Sequence, residues 1–264
     1  MILLSSGTSN TKLRKSDGRG FLCFGLSLRP SNLSGYNVCS HAGHCARLCV
    51  LSVAGRSCMP SVQAARDRKT RLLFEDRAQF IAQLADDIGR AVRSAKRRNL
   101  ECAIRLNVAS DLQWERIAPS LLDVDATYYD YTKVPNRITP DNYHLTYSVN
   151  ETTDPSDMSA MLRRGTNCAV VFDTIYNPSR ADVRPLPKRW RGHRVIDGDT
   201  HDLRLPAFDG SGVIVGLRGK GGRAVVRDGV RHGFIQRTRG GVMDVYGASD
   251  MSWMSGVITA TRSA

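Results

Sequence analysis

Short apolar runs alternate with helical segments and long connections along this chain, and this alternation constrains its fold more than any other feature. The first run, GFLCFGLSL, covers residues 20–28. Similar runs follow at residues 101–110, 125–132, 142–150, 167–173, 193–197 and 212–220. Strands separated in this way form a mainly parallel sheet, because a parallel connection needs a crossover of a dozen or more residues. We therefore predict an α/β fold, a partial or full β/α barrel with mainly parallel strands.

Four segments between these runs have helical patterns. The first two helices are predicted over residues 61–74 and 76–98, and shorter helices are predicted over residues 113–117 and from residue 154 or 156 to about 164. In the second helix, the apolar residues recur at spacings of one, three and four and form one face: Phe80, Ile81, Leu84, Ile88 and Val92. That face is expected to cover one side of the sheet.

The predicted barrel domain occupies residues 20–220 and leaves an extension at each end. Residues 1–19 are polar and are interpreted as an N-terminal arm. Residues 221–264 are interpreted as an irregular, basic extension packed on the barrel, with arginines among glycines: Arg223, Arg227, Arg231, Arg237 and Arg239. Two structures remain open for this extension, a β-hairpin or a mobile basic flap.

The charge of the chain points to anionic partners. The formal net charge is +13 over 264 residues, which favours a nucleotide or nucleic acid as partner. The alternative is a basic soluble protein in which arginine is simply common. No apolar run approaches the roughly 18 residues needed to span a membrane, and no signal-peptide pattern follows Met1. We therefore expect a cytoplasmic protein without a membrane partner. Neither a G-x-S-x-G nor an H-E-x-x-H motif marks it as a hydrolase.

Seven cysteines are present, and three of them are clustered. Cys39, Cys45 and Cys49 have the spacing C-x5-C-x3-C. In a reducing compartment, clustered cysteines are more often metal ligands or catalytic groups than disulfide partners. Three other cysteines lie inside apolar runs and are interpreted as small buried hydrophobic residues: Cys23, Cys102 and Cys168.

The clustered cysteines are best interpreted as thiolate ligands of an iron–sulfur cluster. They follow the first predicted strand, which places them at the carboxyl face of a barrel, where functional sites are usually built. Three thiolates leave one iron of a [4Fe-4S] cluster open for a substrate or cofactor. A fourth thiolate, from Cys58, would close the cluster and indicate a structural or electron-transfer role.

Two alternatives to an iron–sulfur cluster remain open. His41 and His44 lie between the clustered cysteines and could join them in a zinc site, because zinc accepts both ligand types. The spacing fits zinc ribbons poorly, since these use C-x2-C pairs. Taken singly, the two histidines are interpreted as loop residues without a ligand role. The second alternative is that the cysteines bind no metal.

Three cysteines in a loop after the first strand of a β/α barrel resemble the radical S-adenosylmethionine superfamily. The usual spacing there is C-x3-C-x2-C, from which this chain departs. A closer resemblance is to a phage-encoded family of uncharacterised proteins called gene product 88. It is carried by four stretches: Cys39–Cys49, Val62–Thr70, Arg105–Asp111 and Tyr128–Lys133. That family is itself described as similar to radical enzymes.

The resemblance implies a [4Fe-4S] cluster and S-adenosylmethionine as cofactors. A reductant protein would supply an electron, and cleavage of the sulfonium would release a 5′-deoxyadenosyl radical. The expected substrate class is a nucleotide or nucleic acid, in the cytoplasm of a bacterial host. The alternative function is a non-catalytic nucleic-acid-binding protein in which a metal site holds a loop together.

The resemblance also implies residues that bind S-adenosylmethionine. Arg105, Asn107, Ser110 and Asp111 follow one strand, and Lys133 follows the next. A cation is needed for the methionine carboxylate, and polar groups are needed for the ribose. For Asn107 and Asp111 the alternative is a turn and a helix cap, which Ser110 and Asp111 before a short helix would also explain.

An acidic segment, IDGDTHD, lies in the last third of the chain. Asp197, Asp199 and Asp202, together with His201, are interpreted either as a metal site, as partners of an arginine, or as a glycine-centred turn with side-chain-to-backbone hydrogen bonds. Lys220 ends the last predicted strand. It is expected either to reach a carboxylate or phosphate or to lie in a plain turn.

Overall fold

The computed structural model describes residues 1–6, 19–49, 55–175 and 185–238. Its centre is a nine-stranded sheet with the order β1-β2-β3-β4-β5-β6-β9-β8-β7. The strands are β1 (Leu4–Ser6), β2 (Phe21–Leu26), β3 (Glu101–Arg105), β4 (Thr127–Thr132), β5 (Tyr143–Ser148), β6 (Cys168–Ile175), β7 (Arg189–Trp190), β8 (His193–Asp197) and β9 (Ile214–Gly219). Every strand predicted from the apolar runs is present.

The sheet is mainly parallel but open. Strands β2 to β6, β9 and β8 run parallel to their neighbours, whereas β1 pairs antiparallel with β2 and β7 pairs antiparallel with β8. Closing a β/α barrel would require the outermost parallel strands to pair with each other. Here their free edges are taken by antiparallel strands, so the prediction of a full barrel is corrected to an open, mainly parallel sheet.

Six helices lie in the described ranges. They are α1 (Pro60–Glu75), α2 (Arg77–Lys96), α3 (Trp114–Ile117), α4 (Pro155–Arg163), α5 (Pro206–Asp209) and α6 (Arg223–Arg231). Short 3-10 turns occur at Gly43–Ala46, Gly55–Cys58 and Pro119–Leu122. The first four helices match the sequence prediction closely. None of the helices in these ranges is long and apolar enough to cross a membrane.

Helix boundaries follow from local capping. The carboxylate of Asp76 accepts a hydrogen bond of 3.0 Å from the backbone N–H of Gln79, at the start of α2. The carboxylate of Asp154 accepts one of 2.7 Å from the N–H of Ser156, at the start of α4. Each bond satisfies a backbone donor that the helix itself leaves without a partner. These local signals explain why both starting points could be predicted.

The main core lies between α2 and the sheet. Phe80, Leu84 and Ile88 from α2 are fully buried. They belong to one cluster with alternate side chains of the first two parallel strands: Leu22, Phe24, Leu26, Cys102 and Ile104. Each fully buried side chain of this size contributes about 1.5–3 kcal/mol. The packing holds β2 and β3 side by side, and the loops that leave their carboxyl ends therefore start from neighbouring points.

The opposite face of the sheet has a smaller core. Cys23, Ala103 and Tyr129 cluster there with Leu203 and Leu205, which come from the segment after β8. The buried positions of Cys23, Cys102 and Cys168 confirm their interpretation as hydrophobic residues.

Two terminal segments differ from the sequence prediction. Leu4–Ser6, assigned to a polar arm, form β1 and extend the sheet, while residues 7–18 lie outside the described residues. Arg223–Arg231 form α6, with Val225 and Val226 buried, rather than a β-hairpin. The preceding glycines, Gly221 and Gly222, have φ of +90° and mark a turn that ends before the helix begins. Residues 239–264 are also outside the described residues.

Candidate metal centre

The cysteine loop lies at the carboxyl ends of β2 and β3. Val38 accepts a backbone hydrogen bond of 2.8 Å from Asp111, which is in the loop after β3. The Cys39 Sγ donates to the carbonyl of Ala109 at 3.5 Å. The backbone N–H of Cys39 donates to the side chain of Asn37 at 2.9 Å. The first cysteine is thereby held against the loop of the neighbouring strand.

The three clustered cysteines are half-buried and influence one another. The pKa of Cys39 is raised to about 11, mainly by burial and also by negative charge on Cys49 and Cys45, while a backbone hydrogen bond at Ser31 and the Lys133 ammonium oppose the rise. The three thiols are therefore within electrostatic reach of each other and of one ammonium group. In the described ranges, the residues whose ligand atoms all lie within 4.8 Å of one another are His44, Asp228 and His232, so the three sulfurs do not all lie within that distance of one another.

Lys133 provides a positive charge at Cys45. Burial raises the pKa of the Cys45 thiol, whereas the Lys133 ammonium lowers it by its charge and by a hydrogen bond. The lysine is fixed at its backbone, because its N–H donates to Asp111 Oδ2 at 2.7 Å, and its Nζ also lies 3.3 Å from Ser148 Oγ. Lys133, which directly follows β4, thus places its ammonium group near the cysteine loop.

Arg66 of α1 provides a second positive charge near the cysteines. Its side chain is buried, and this burial lowers its pKa, while negative charge on Cys49 and then on Cys58 raises it. The guanidinium also lies 3.4 Å from the carbonyl of Ser57. Cys58 itself is exposed, unlike the clustered three. Arg66 therefore lies within electrostatic reach of both Cys49 and Cys58.

Glu151, in the turn after β5, positions the 3-10 turn that contains Cys45. Its Oε1 accepts a hydrogen bond of 2.5 Å from the backbone N–H of His44. Gly43 has φ of +55°, and a Cβ there would lie only 2.3 Å from Glu151 Oε1. The carboxylate therefore approaches the backbone in space that only glycine leaves open. Its other oxygen, Oε2, is buried and has no hydrogen-bond partner among the described residues.

Asn107 organises the loop after β3. Its Oδ1 accepts hydrogen bonds from Ser110 Oγ at 2.8 Å, from the Leu112 N–H at 3.0 Å and from Trp114 Nε1 at 3.2 Å. Asp111 accepts from the hydroxyl of Thr132 at 2.7 Å, in addition to the Lys133 N–H. The contacts of Asn107 are those of the turn alternative. Asp111 is not a helix cap, because α3 has Gln113 at its N-cap without a side-chain hydrogen bond, and the Asp111 carboxylate instead binds the end of β4.

Arg105 is held in a buried ion pair. Its Nη1 lies 3.2 and 3.0 Å from the two carboxylate oxygens of Asp202, and its guanidinium lies 5.0 Å from the ring centroid of Tyr131. Burial alone would lower the pKa of Arg105, but the charges of Asp202 and Asp130 outweigh it and raise the pKa. Of the five residues predicted to bind S-adenosylmethionine, Lys133 and Asp111 are the two whose charges influence Cys45.

The acidic segment holds cationic side chains. Asp197 and Asp199 lie 2.8 and 3.3 Å from the Arg218 Nη1, and Lys220 Nζ lies 3.0 Å from Asp199 Oδ1. The segment is also a turn around Gly198, in which Asp197 Oδ1 accepts a hydrogen bond of 3.0 Å from the Asp199 N–H. The turn and the arginine-partner interpretations therefore both describe this segment, and Lys220 reaches a carboxylate as one interpretation expected. Asp202 is separate from this group because it pairs with Arg105.

The two loop histidines have different surroundings. His41 is exposed and its Nδ1 lies 3.0 Å from Ser40 Oγ. His44 turns towards α6, where its Nε2 lies 3.0 Å from Asp228 Oδ2 and its ring stacks on His232 with centroids 4.0 Å apart. Sequence reasoning missed this group because His44 and Asp228 are 184 residues apart. The sequence signal that could have indicated this group is the D-x-x-x-H spacing of Asp228 and His232.

The fold and the site together define an α/β protein with an open, mainly parallel sheet and a thiol-rich loop at its carboxyl edge. The family model described as Gene product 88 matches residues 2–238, and the chain belongs to this family. Comparison with curated proteins and with solved structures finds no match.

Proposed function

We propose that this protein is an iron–sulfur enzyme of the radical S-adenosylmethionine type, with Cys39, Cys45 and Cys49 as ligands of a [4Fe-4S] cluster. One observation carries the proposal. Three half-buried thiols lie within electrostatic reach of one another at the carboxyl edge of a parallel sheet, beside the cations of Lys133 and Arg66. Soft thiolates in such a polar setting are the donors that iron–sulfur clusters use.

The charge balance of the site fits a cluster. Burial raises the pKa of the Cys39 and Cys45 thiols, so without metal they hold their protons at neutral pH. Iron binding replaces those protons, because a coordinating thiol is deprotonated outright. Lys133 beside Cys45 and Arg66 beside Cys49 would then compensate part of the thiolate charge.

The spacing of the thiols favours a cluster over one zinc ion. Tetrahedral ligands at a Zn–S distance of about 2.3 Å place sulfurs about 3.8 Å apart. The three sulfurs do not all lie within 4.8 Å of one another, whereas a cubane accepts ligand sulfurs up to about 7 Å apart. His44 does not supplement the thiols, since its imidazole is engaged with Asp228. A zinc site shared by cysteines and His44 is therefore disfavoured.

Cys58 is separated from the proposed ligands in two respects. It is exposed, and it belongs to the 3-10 turn Gly55–Cys58 before α1 rather than to the cysteine loop. With three ligands, the cluster keeps one open iron. When bound there, the cluster supplies the electron for reductive cleavage of S-adenosylmethionine.

Two side chains of this chain are suited to holding the cofactor's methionine moiety. Lys133 carries a cation for the carboxylate at the end of β4. The Oε2 of Glu151 is buried without a hydrogen-bond partner among the described residues, so it can accept a bond from the cationic amino group. The net charge of +13 supports a nucleotide or nucleic acid as substrate. A reductant protein of the cytoplasm would supply the electron that the cluster passes on.

The direct test is anaerobic purification followed by iron and sulfide assay, and by detection of 5′-deoxyadenosine after addition of S-adenosylmethionine and a strong reductant. Cys39→Ser, Cys45→Ser and Cys49→Ser should each lose cluster iron. Cys58→Ala is the matched control and should retain it. A colourless protein that contains zinc instead of iron would refute the proposal. Brown protein that never cleaves the cofactor would leave an iron–sulfur protein only, and loss of iron in Cys58→Ala would contradict the three-ligand site.

Lys133→Met tests the electrostatic part of the site. Removing the ammonium should raise the pKa of Cys45 and slow its alkylation in metal-free protein, by about tenfold for each pKa unit, because the thiolate is the nucleophile. The rate is read by mass spectrometry of the Cys45 peptide. Lys96→Met is the control, since Lys96 is exposed and pairs with Asp125. Unchanged alkylation in Lys133→Met would show that no cation acts on Cys45.

The alternative function, a non-catalytic nucleic-acid-binding protein with a structural metal site, is favoured by the net charge alone. Binding of short oligonucleotides, measured against salt concentration, would give a steep slope if many phosphates are contacted. Strong binding together with failure to cleave S-adenosylmethionine would select this function.

A further inference from the structure

Outside the cysteine cluster, one group of side chains has the composition and spacing of a metal site. His44, Asp228 and His232 each offer a ligand atom, and these atoms all lie within 4.8 Å of one another. His44 Nε2 lies 3.0 Å from Asp228 Oδ2, and His232 Nδ1 lies 3.5 Å from Asp228 Oδ1. Two imidazoles and one carboxylate are a donor set that binds divalent transition metals and leaves further positions open.

We propose that His44, Asp228 and His232 bind one divalent transition-metal ion, with Zn²⁺ as the first candidate, at a site separate from the cysteine cluster. Ligands at about 2.0–2.1 Å in a tetrahedral arrangement lie about 3.3 Å apart. The two imidazoles lie 3.0 and 3.5 Å from Asp228, His44 Nε2 on its Oδ2 and His232 Nδ1 on its Oδ1. Both separations are close to that value, and binding by one carboxylate oxygen requires side-chain rotation but no movement of the backbone.

The backbone already presents these ligands together. Asp228 and His232 are separated by four positions at the end of α6, which places both side chains on one helix face. His44 comes from the cysteine loop, where Glu151 holds its backbone N–H. The loop also touches α6 next to the site, because a Cβ at Gly229 would lie 3.0 Å from Leu48 Cδ1.

Access and ring orientation assign different roles to the two histidines. The side chains of His44 and Asp228 are 9% and 12% exposed, whereas that of His232 is 41% exposed. The two rings stack with an angle of 14° between their planes. Nearly parallel rings cannot direct both in-plane lone pairs at one ion, so one ring must turn when the metal binds. His232 has the more exposed ring, and its turn would replace the 3.0 Å contact between its Nδ1 and the backbone carbonyl of Asp228.

Metal binding at this site would join α6 to the cysteine loop. His44 immediately precedes Cys45, and the 3-10 turn Gly43–Ala46 contains both residues. An ion held by His44, by Asp228 of α6 and by His232 directly after α6 would therefore restrain the segment that carries a proposed cluster ligand. Its role is structural support for that loop, and the site can bind metal whether or not the cysteines bind a cluster.

The test uses the full-length protein, purified without metal and titrated with Co²⁺ under anaerobic conditions. Cobalt bound by histidine and carboxylate shows visible bands without a thiolate charge-transfer band, so it is distinguished from cobalt on cysteines. The variants are Asp228→Asn and His232→Gln. The matched control is His41→Gln, an exposed histidine of the same loop. Circular dichroism establishes that each variant is folded.

The wild type and His41→Gln should bind one equivalent of Co²⁺ without thiolate character, and Zn²⁺ should displace it. Loss of an outer-shell partner typically weakens metal binding 10–100-fold, so loss of a direct ligand should weaken it more than about 100-fold in either variant. Hydrogen exchange of α6 should slow on metal addition in the wild type only. If folded Asp228→Asn and His232→Gln keep the wild-type equivalents and spectrum, the proposal is overturned. Their iron and sulfide content reports separately on the cysteine cluster.

Discussion

Replacing Gly43 with alanine should weaken the cysteine loop through one identifiable contact. Gly43 has φ of +55°, and an added Cβ would lie 2.3 Å from Oε1 and 3.1 Å from Cδ of Glu151. Contacts this short do not occur in folded proteins, so the carboxylate must withdraw. Withdrawal breaks its hydrogen bond with the backbone N–H of His44 and releases the turn that carries Cys45.

The expected cost has two parts. A left-handed backbone conformation costs an alanine about 1–2 kcal/mol, partly offset by the lower entropy of the unfolded chain. A hydrogen bond to a charged group contributes about 1.5–3 kcal/mol. Gly35 separates the two parts, because it has φ of +89° and nothing lies within 4 Å of its added Cβ. Gly43→Ala should therefore be about 1.5–3 kcal/mol more destabilising than Gly35→Ala.

The assay is urea unfolding of metal-free protein, with the free energy of unfolding extrapolated to water. Both alanine variants are also made in a Glu151→Ala background, where no carboxylate remains to be displaced. The excess cost of Gly43→Ala should disappear there, because residues in contact give non-additive effects. The alkylation rate of Cys45, measured in parallel, should rise in Gly43→Ala and not in Gly35→Ala.

Two results would refute this reasoning. The first is equal destabilisation by Gly43→Ala and Gly35→Ala, which would mean that Glu151 does not approach the glycine in solution. The second is an excess cost that persists in the Glu151→Ala background, which would assign it to some other neighbour of Gly43.

Two further predictions concern buried charges on the other side of the sheet. Asp202→Asn should lower the free energy of unfolding by up to about 3–5 kcal/mol, because it removes the closer of the two carboxylates that pair with the buried Arg105 and leaves only Asp130, at 3.7 Å. The exposed Asp125→Asn should change it by less than about 0.5 kcal/mol, and equal effects would contradict the buried pair. Burial and the neighbouring Arg204 lower the pKa of His201 to about 4 from 6.5. The unfolded chain therefore binds the proton more tightly than the folded protein does. As pH falls from 6.5 to 4, the free energy of unfolding should decrease by up to about 3 kcal/mol. His201→Gln should remove that part of the pH dependence in urea unfolding, and an unchanged pH profile would show that His201 does not contribute to it.

Local patterns predicted most of the secondary structure. The helices α2 and α4 were predicted because their apolar spacing, caps and final basic residues are all local signals, whereas α1 was predicted from its helical pattern without a side-chain cap or a basic last turn. The strands of the parallel sheet were predicted from apolar runs of the right length. The strand β1 was missed because Leu4–Ser6 is too short to show a period. The helix α6 was missed because glycines and arginines conceal Val225 and Val226.

The grouping of the clustered cysteines was predicted for the same reason, while their role as cluster ligands stays a prediction. Cys39, Cys45 and Cys49 are close in sequence, so their proximity in the structure follows from chain connectivity. Lys133 was also selected, since the ends of parallel strands meet at one edge of the sheet. The contribution of Glu151 was not predicted, because it depends on the approach of one turn to a glycine in another.

The amino-acid sequence by itself determined the alternation of strands and helices, the mainly parallel sheet and the grouping of three thiols after the first long strand. These features depend on residues that are neighbours along the chain. Only the tertiary structure decided that the sheet stays open, that Arg105 pairs with Asp202, and that His44 meets α6. Such contacts join residues that are 97 and 184 positions apart, and they depend on strand order and helix packing, which no local period encodes.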